Sequence, residues 1–224
     1  MLEKRDKRIL DDKEFRWVAI KISIIMILIY ILSLRFPNFF FSNFLLSASS
    51  VFKKPWTLIT YAFLHSQESI AHIFYNVFAL AMFGSILEKI IGYKRFLFVF
   101  FSSSLFASLI GIHFYNNLIG ASGGIMGIIG CLTIIKPKMI IVGFGAPIPL
   151  ILASLFWVFG DFLGVFYPDD VAHISHLSGI LFGFLIGGYI RLIENEKKEQ
   201  GKKPKEKRIS EEEFRNWEEK WMKR

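Results

Sequence analysis

Cysteine is nearly missing from this chain: Cys131 is alone among 224 residues, which excludes an intrachain disulfide and any cysteine-based metal cage. The five histidines include no His-Glu-x-x-His and no carboxylate-flanked pair, so neither a metal nor any other cofactor is expected. The first sixteen residues are charged, and the apolar run that follows lacks a small-residue cleavage site, so no removable signal peptide is expected. No internal repeat is visible. The 27 Lys and Arg against 19 Asp and Glu leave a formal charge of +8, but the basic residues are not gathered into a patch. Six precede Trp17 and twelve lie from Arg191 onward, so the excess reads as membrane topology and no nucleic-acid partner is expected.

Apolar residues fill the space that charge leaves. They make up 53% of the chain, with 17% aromatic and 25 Phe, against roughly 45–50% apolar in an ordinary soluble domain. Mean hydropathy is +0.45. Runs of about 16–22 residues can each cross a bilayer. The pattern predicts an all-α polytopic membrane protein with spans at 17–34, 69–88, 96–112, 120–135, 148–166 and 171–192. Residues 1–16 form a basic terminus, 17–192 one six-helix domain, and 193–224 a charged tail. Placing both termini in the cytoplasm puts 23 of the 27 basic residues there, leaving Arg35, Lys53 and Lys54 outside and Lys21 within the first span. The positive-inside rule therefore predicts a multi-pass cell-membrane protein with both ends cytoplasmic.

The connection between the first two spans carries Phe36, Phe39, Phe40, Phe41, Phe44, Leu45 and Leu46, too apolar for a solvated loop. It is expected in the outer interface, partly as short helices. In the tail, Ser210 with Glu213 fits a capping box and Ile209 with Phe214 a hydrophobic staple. Phe214, Trp217 and Trp221 fall on one helical face, which fits an amphipathic helix on anionic lipid as well as it fits a solvated tail.

Polar groups inside lipid cost on the order of 2.5–3.5 kcal/mol at mid-helix, so each needs a reason. The second span carries His72 and Asn76 four apart on one face, the fourth opens with Gly120-Ala121-Ser122-Gly123-Gly124, and the sixth carries His176. Counting up from the basic residue that ends each span, Asn76, Ser122 and His176 lie about 20–22 Å above it and His72 about 26 Å, at 1.5 Å per residue. All four fall in one layer of a hydrocarbon core about 30 Å thick. Gly179, Gly183 and Gly187 continue the His176 face, and Gly123, Gly127 and Gly130 form a second stripe, so two backbones can approach closely enough for Ser122 to meet His176. The fourth span is short, and the His113–Asn117 segment before it descends below the membrane surface, which backbone tolerates only beside a wet cavity or protein.

A hydroxyl, an imidazole and two further polar side chains at one depth suit a nucleophile, its general base and donors for an oxyanion. His176 would take the proton of Ser122, and the Ser122 N–H with Asn76 and His72 would hold the developing negative charge. No third, orienting acid is evident, so the expected unit is a dyad.

These residues resemble the rhomboid intramembrane serine proteases. The likeness covers nearly the whole membrane block: PWTLITYAFLH (55–65), HIFYN (72–76) with Gly84 and Glu88 behind it, GASG (120–123) and HLSGILFG (176–183). It implies a six-helix rhomboid-like bundle with a hydrated site, and single-span membrane proteins as substrates. It also implies Ser122 as nucleophile, His176 as base, and His72 and Asn76 as oxyanion contributors. Gly120, Gly123, Gly127, Gly179 and Gly183 would serve helix packing. Two positions depart from the common pattern. Thr57 stands where many members have Arg, so Glu88 must find a Lys or backbone partner, and Met126 stands where bacterial members often place an aromatic ring against the histidine.

His65 and His173 read as structural or water-facing groups near the outer boundary, His113 has no assigned part, and Asp161 reads as a hydrogen-bonded packing residue. Two other classes compete with hydrolysis. A rhomboid-like pseudoprotease that binds membrane clients would normally lack Ser122 or His176. A small transporter would need paired mid-membrane charges, and only Asp161, Lys21 and the short fourth span lean that way. The long outer loop and the fifth span, with Gly160 and Gly164, are the expected place of lateral substrate entry. The sequence assigns no oligomeric state.

Overall fold

A computed structural model describes residues 14–143, 145–167, 169–202 and 211–221. Helix α1 (Val18–Arg35) is followed by the short α2 (Pro37–Phe44), strand β1 (Leu46–Ser47), and α3 (Thr57–Thr60) with a 3₁₀ turn at Tyr61–Phe63. Then come α4 (Ile70–Ala79), a π-helical turn at Leu80–Gly84, α5 (Ser85–Ile91), α6 (Tyr93–Gly111), strand β2 (Asn117–Leu118) and α7 (Ser122–Ile135). A hairpin of β3 (Ile140–Gly143) and β4 (Ala146–Pro149) leads to α8 (Leu150–Gly164) and α9 (His173–Lys202). Among the described residues, four helices are long and apolar enough to cross a membrane: Val18–Arg35, Ile70–Ile91 through its π turn, Tyr93–Gly111 and His173–Glu196. Ser122–Ile135 and Leu150–Gly164 are shorter apolar helices. The architecture is an all-α polytopic membrane bundle, and its six apolar helices fall within a few residues of the expected spans.

The chain divides into a unit of residues 1–190 and one of residues 191–224. Within the first, α7 is the central helix: every residue from Gly123 to Thr133 is buried. Such a helix has no polar face to turn outward, as its sequence, SGGIMGIIGCLTII, already says. It packs most extensively on α6. There Ser103 and Ser104 face its glycines, so that a β-carbon added to Gly124 or Gly127 would strike Ser104 or Ser103. Lipid tails are as apolar as Leu, so the contacts that hold such helices together are close van der Waals packing and hydrogen bonds. The outward faces of α1 and α8 keep large apolar side chains exposed, among them Leu28, Ile31, Leu155, Phe156 and Phe159, as lipid-facing surfaces do.

The Phe-rich connection does form short helices, α2 and α3, and leaves Phe36, Phe39, Phe52 and Trp56 exposed. It also does something that hydropathy does not show. Leu46 and Ser47 pair antiparallel with Leu118 and Asn117, and the Gly120 N–H donates to the Tyr61 carbonyl at 3.0 Å. The descending backbone before α7 therefore finds its partners in protein, as buried peptide groups must.

Glu88 also finds its partner. Fully buried on α5, it accepts the Arg16 N–H at 2.8 Å and the Ala19 N–H at 3.0 Å. Its carboxylate thus caps the start of α1, where N–H groups are free and the helix dipole favours negative charge. Thr57 instead turns its hydroxyl onto the Lys54 carbonyl at 2.6 Å. In the second unit, helix α10 (Glu211–Trp221) keeps Phe214 and Trp217 exposed and stacked with centroids 6.3 Å apart. Ile209 and Ser210, half of the expected staple and capping box, lie outside the described residues.

Candidate active site

The site begins where α7 begins. Ser122 is its first helical residue, so its backbone N–H has no partner within the helix and is free to donate. Gly120, two residues earlier, adopts a φ of +104°, in the range where a side chain is strained. An added β-carbon there would lie 2.6 Å from His72 Nε2, so the glycine lets the α4 histidine reach the turn before Ser122.

Across 54 residues of sequence, Ser122 Oγ and His176 Nε2 stand 2.8 Å apart. The glycine stripes make this possible. A β-carbon on Gly179 would lie 3.0 Å from the Gly123 carbonyl carbon and nearer its oxygen, and one on Gly183 would lie 2.7 Å from the Gly127 carbonyl carbon. Helices α7 and α9 thus touch backbone to backbone, which only residues without side chains permit. His176 enters one turn above this contact.

On α4, the Asn76 side-chain amide donates to the His72 carbonyl at 2.8 Å, while its Oδ1 is buried without a hydrogen bond. One amide hydrogen of Asn76 remains for another acceptor. The Ser66 N–H points at His72 Nδ1 at 3.4 Å, which leaves Nε2, the nitrogen beside Gly120, to carry the ring proton. His65 is fully buried and packs edge-on against His72 with centroids 5.1 Å apart. Burial, and secondarily the neighbouring His72, push its imidazole down to about 3, so it stays neutral at physiological pH.

An acid does stand beside His176. Asp161, from the end of α8 away from Leu150, places Oδ1 at 3.0 Å from His176 Nδ1 and 2.7 Å from His173 Nδ1. His173 Nε2 in turn lies 3.0 Å from Asp169 Oδ2. The exposed Asp169 carboxyl is held below its ordinary value, first by the Val171 N–H and then by His173. Asp161 is hydrogen-bonded, as expected, and His173 takes the structural rather than the water-facing part: both belong to one hydrogen-bonded set with His176. The histidine pair is carboxylate-flanked after all, through a residue 12 and 15 positions away, beyond the reach of a local motif. Asp161, His173 and His176 each offer a ligand atom within 4.8 Å of the others, so the cluster could hold a metal ion. Any ion there would draw on the imidazole that faces Ser122. His113, two residues past the end of α6, contacts the Leu109 carbonyl at 2.8 Å.

Gly164 and Gly160, both on the expected entry path along the fifth span, differ. A β-carbon on Gly164 would run into the His173 ring, whereas one on Gly160 would meet nothing within 4 Å. Gly164 therefore serves close approach of α8 to His173.

A partly buried hydroxyl hydrogen-bonded to an imidazole, beside free helix N–H groups and a second imidazole, can carry out acyl transfer. Comparison with known proteins bears on the same residues. Residues 53–192, more than half of the chain, match the Rhomboid domain family. Rhomboid protein 1, mitochondrial, of Saccharomyces cerevisiae is 30% identical over 148 residues, covering 60% of this chain and 41% of that protein. The putative rhomboid protease YdcA of Bacillus subtilis is 29% identical over 136 residues, covering 58% and 65%. Rhomboid protease GlpG of Yersinia pestis is 27% identical over 143 residues, covering 62% and 49%. The chain spans less than two thirds of the length of each of these relatives.

Proposed function

The chain belongs to the rhomboid family, and from that premise we propose that it is an intramembrane serine endopeptidase that cleaves single-span membrane proteins in or near their membrane segment. The observation that carries this reading is the 2.8 Å contact between Ser122 Oγ and His176 Nε2. Two relatives bearing the name rhomboid protease accord with it.

In this reading Ser122 Oγ attacks the scissile carbonyl carbon while His176 Nε2 takes the hydroxyl proton. The carbonyl oxygen becomes an oxyanion and accepts hydrogen bonds from the Ser122 N–H, the spare Asn76 amide hydrogen and His72 Nε2–H. Each such donor is typically worth 10²–10³ in rate. As the C–N bond breaks, His176 passes its proton to the leaving amine, and the carbonyl carbon stays esterified to Ser122. Water then attacks the ester with His176 again as base, releasing the carboxylic product and restoring Ser122.

We place both termini in the cytoplasm of a cell membrane, on the strength of the basic residues. Ser122 and His176 then lie toward the outer leaflet, and the exposed apolar face of α8 meets the lipid from which a substrate helix arrives. The test is reconstitution in liposomes with a panel of tagged single-span proteins. At least one substrate is expected to be cut, and Ser122→Ala is expected to bind it uncut. Cleavage that persists in Ser122→Ala, or binding without cleavage by the wild type across the panel, would overturn the reading in favour of another nucleophile or a client-binding role.

A further inference from the structure

A neutral imidazole carries one proton for two nitrogens. For His176 to accept the Ser122 proton at Nε2, its own proton must sit on Nδ1. Nδ1 is the atom that lies 3.0 Å from Asp161 Oδ1, and a carboxylate oxygen can only accept. The side chains of Asp161 and His176 are 10% and 18% exposed, so water competes little for this contact. Asp161 is itself restrained: the same Oδ1 accepts Nδ1–H of His173 at 2.7 Å, and His173, protonated on both nitrogens to face two carboxylates, donates Nε2–H to Asp169 Oδ2 at 3.0 Å. Gly164 leaves room for the His173 ring against α8.

We propose that Asp161 is a positioning residue, fixing the ring orientation and Nδ1–H tautomer of His176, and that His173 with Asp169 holds Asp161 in place. The unit that acts on Ser122 is then a Ser-His-Asp triad assembled from α7, α9 and α8, rather than a dyad. This inference rests on the proposed hydrolase reading. When His176 takes the Ser122 proton it becomes an imidazolium with a carboxylate at its far nitrogen, so the charge formed in the attack is met by a partner already in position. His173 does not touch the reacting atoms and acts one step further away. Loss of the carboxylate frees the His176 proton to move to Nε2, where it blocks acceptance from Ser122 without changing how substrate is bound.

The test compares full-length wild type, Asp161→Asn, Asp161→Glu and His173→Gln in detergent micelles with a fluorogenic single-span substrate. Asp161→Asn is expected to lose about 100-fold or more in kcat with KM within about twofold. Asp161→Glu is expected to recover at least about a tenth of wild-type kcat, and His173→Gln to lose about tenfold. In the spectrum of ¹⁵N-histidine-labelled protein, the His176 proton is expected on Nδ1 in the wild type and lost from it in Asp161→Asn. Undiminished kcat in Asp161→Asn overturns the assignment. So does a loss that Asp161→Glu does not relieve and that tracks early thermal unfolding, since that marks a mere tie between helices. If Asp161→Asn fails to fold, the wild-type spectrum decides, because a proton on Nε2 contradicts the proposal outright. A wild type without Ser122-dependent turnover overturns the hydrolase reading instead, and the spectrum then still settles the part played by Asp161.

Discussion

Gly179→Ala adds one methyl group far from lipid and water, and its effect can be worked from backbone positions. The new carbon would lie 3.0 Å from the Gly123 carbonyl carbon and closer to its oxygen. Non-bonded carbons rest about 3.5–4.0 Å apart, so α7 and α9 must part by about 0.5–1 Å. Gly179 is one turn from His176, and Gly123 adjoins Ser122. The 2.8 Å contact between Ser122 Oγ and His176 Nε2 would therefore stretch to about 3.3–3.8 Å, past the range of a useful hydrogen bond. Overpacking of this kind costs about 1–3 kcal/mol in stability, and a misplacement of about 1 Å can cost 10²-fold in rate. The assay is the rate of fluorophosphonate labelling beside the midpoint of thermal unfolding. Gly160→Ala is the control, because its methyl meets nothing within 4 Å. Gly179→Ala should label about 10–100 times more slowly than wild type, and Gly160→Ala at the wild-type rate. Equal labelling by Gly179→Ala and wild type would refute the claim that backbone contact sets the site geometry.

Three further outcomes follow from other parts of the bundle. Gly120→Ala combines a strained positive φ with a clash on His72 Nε2, and is expected to lower turnover more than Gly145→Ala, where φ is also positive but the space is open; substrate kinetics on both variants checks this. Glu88→Ala removes two hydrogen bonds to the start of α1 and is expected to cost about 3 kcal/mol, read as an earlier unfolding transition with the labelling site still Ser122. The buried His65 is protonated in the unfolded chain below about its ordinary value of 6.5 but in the folded protein only near 3, so its contribution makes stability fall as pH drops between these values. His65→Gln should flatten part of that fall in unfolding measurements taken from pH 7 to pH 4; an unchanged slope would contradict the assigned burial effect.

Hydropathy locates the apolar helices because a lipid-facing helix must be apolar along its length, and that signal is local. The Ser122 and His176 pairing is also legible, since depth is counted from basic residues at the helix ends and the glycine stripes mark the faces that meet. What local pattern cannot show is which distant polar group completes a hydrogen bond. Asp161 is a single acid on an otherwise apolar helix, and its meeting with His173 and His176 depends on how α8 lies against α9. A surer clue was available: a carboxylate within a membrane helix must have a donor, and histidines near its depth were the nearest candidates. Glu88 repeats the lesson. Its partners are main-chain N–H groups of residues 16 and 19, which carry no side-chain signature. The pairing of β1 with β2 is two residues long and built from Leu, Ser and Asn, too short for any periodicity to announce.

The central claim is that Ser122 Oγ is the nucleophile and His176 its base. The most direct measurement is peptide mapping by mass spectrometry after treatment with a fluorophosphonate, on wild type and His176→Ala. The adduct is expected on Ser122 in the wild type and absent from His176→Ala, with both proteins unfolding at similar temperatures. An adduct on another residue, or one on Ser122 at the wild-type rate without His176, would contradict the account.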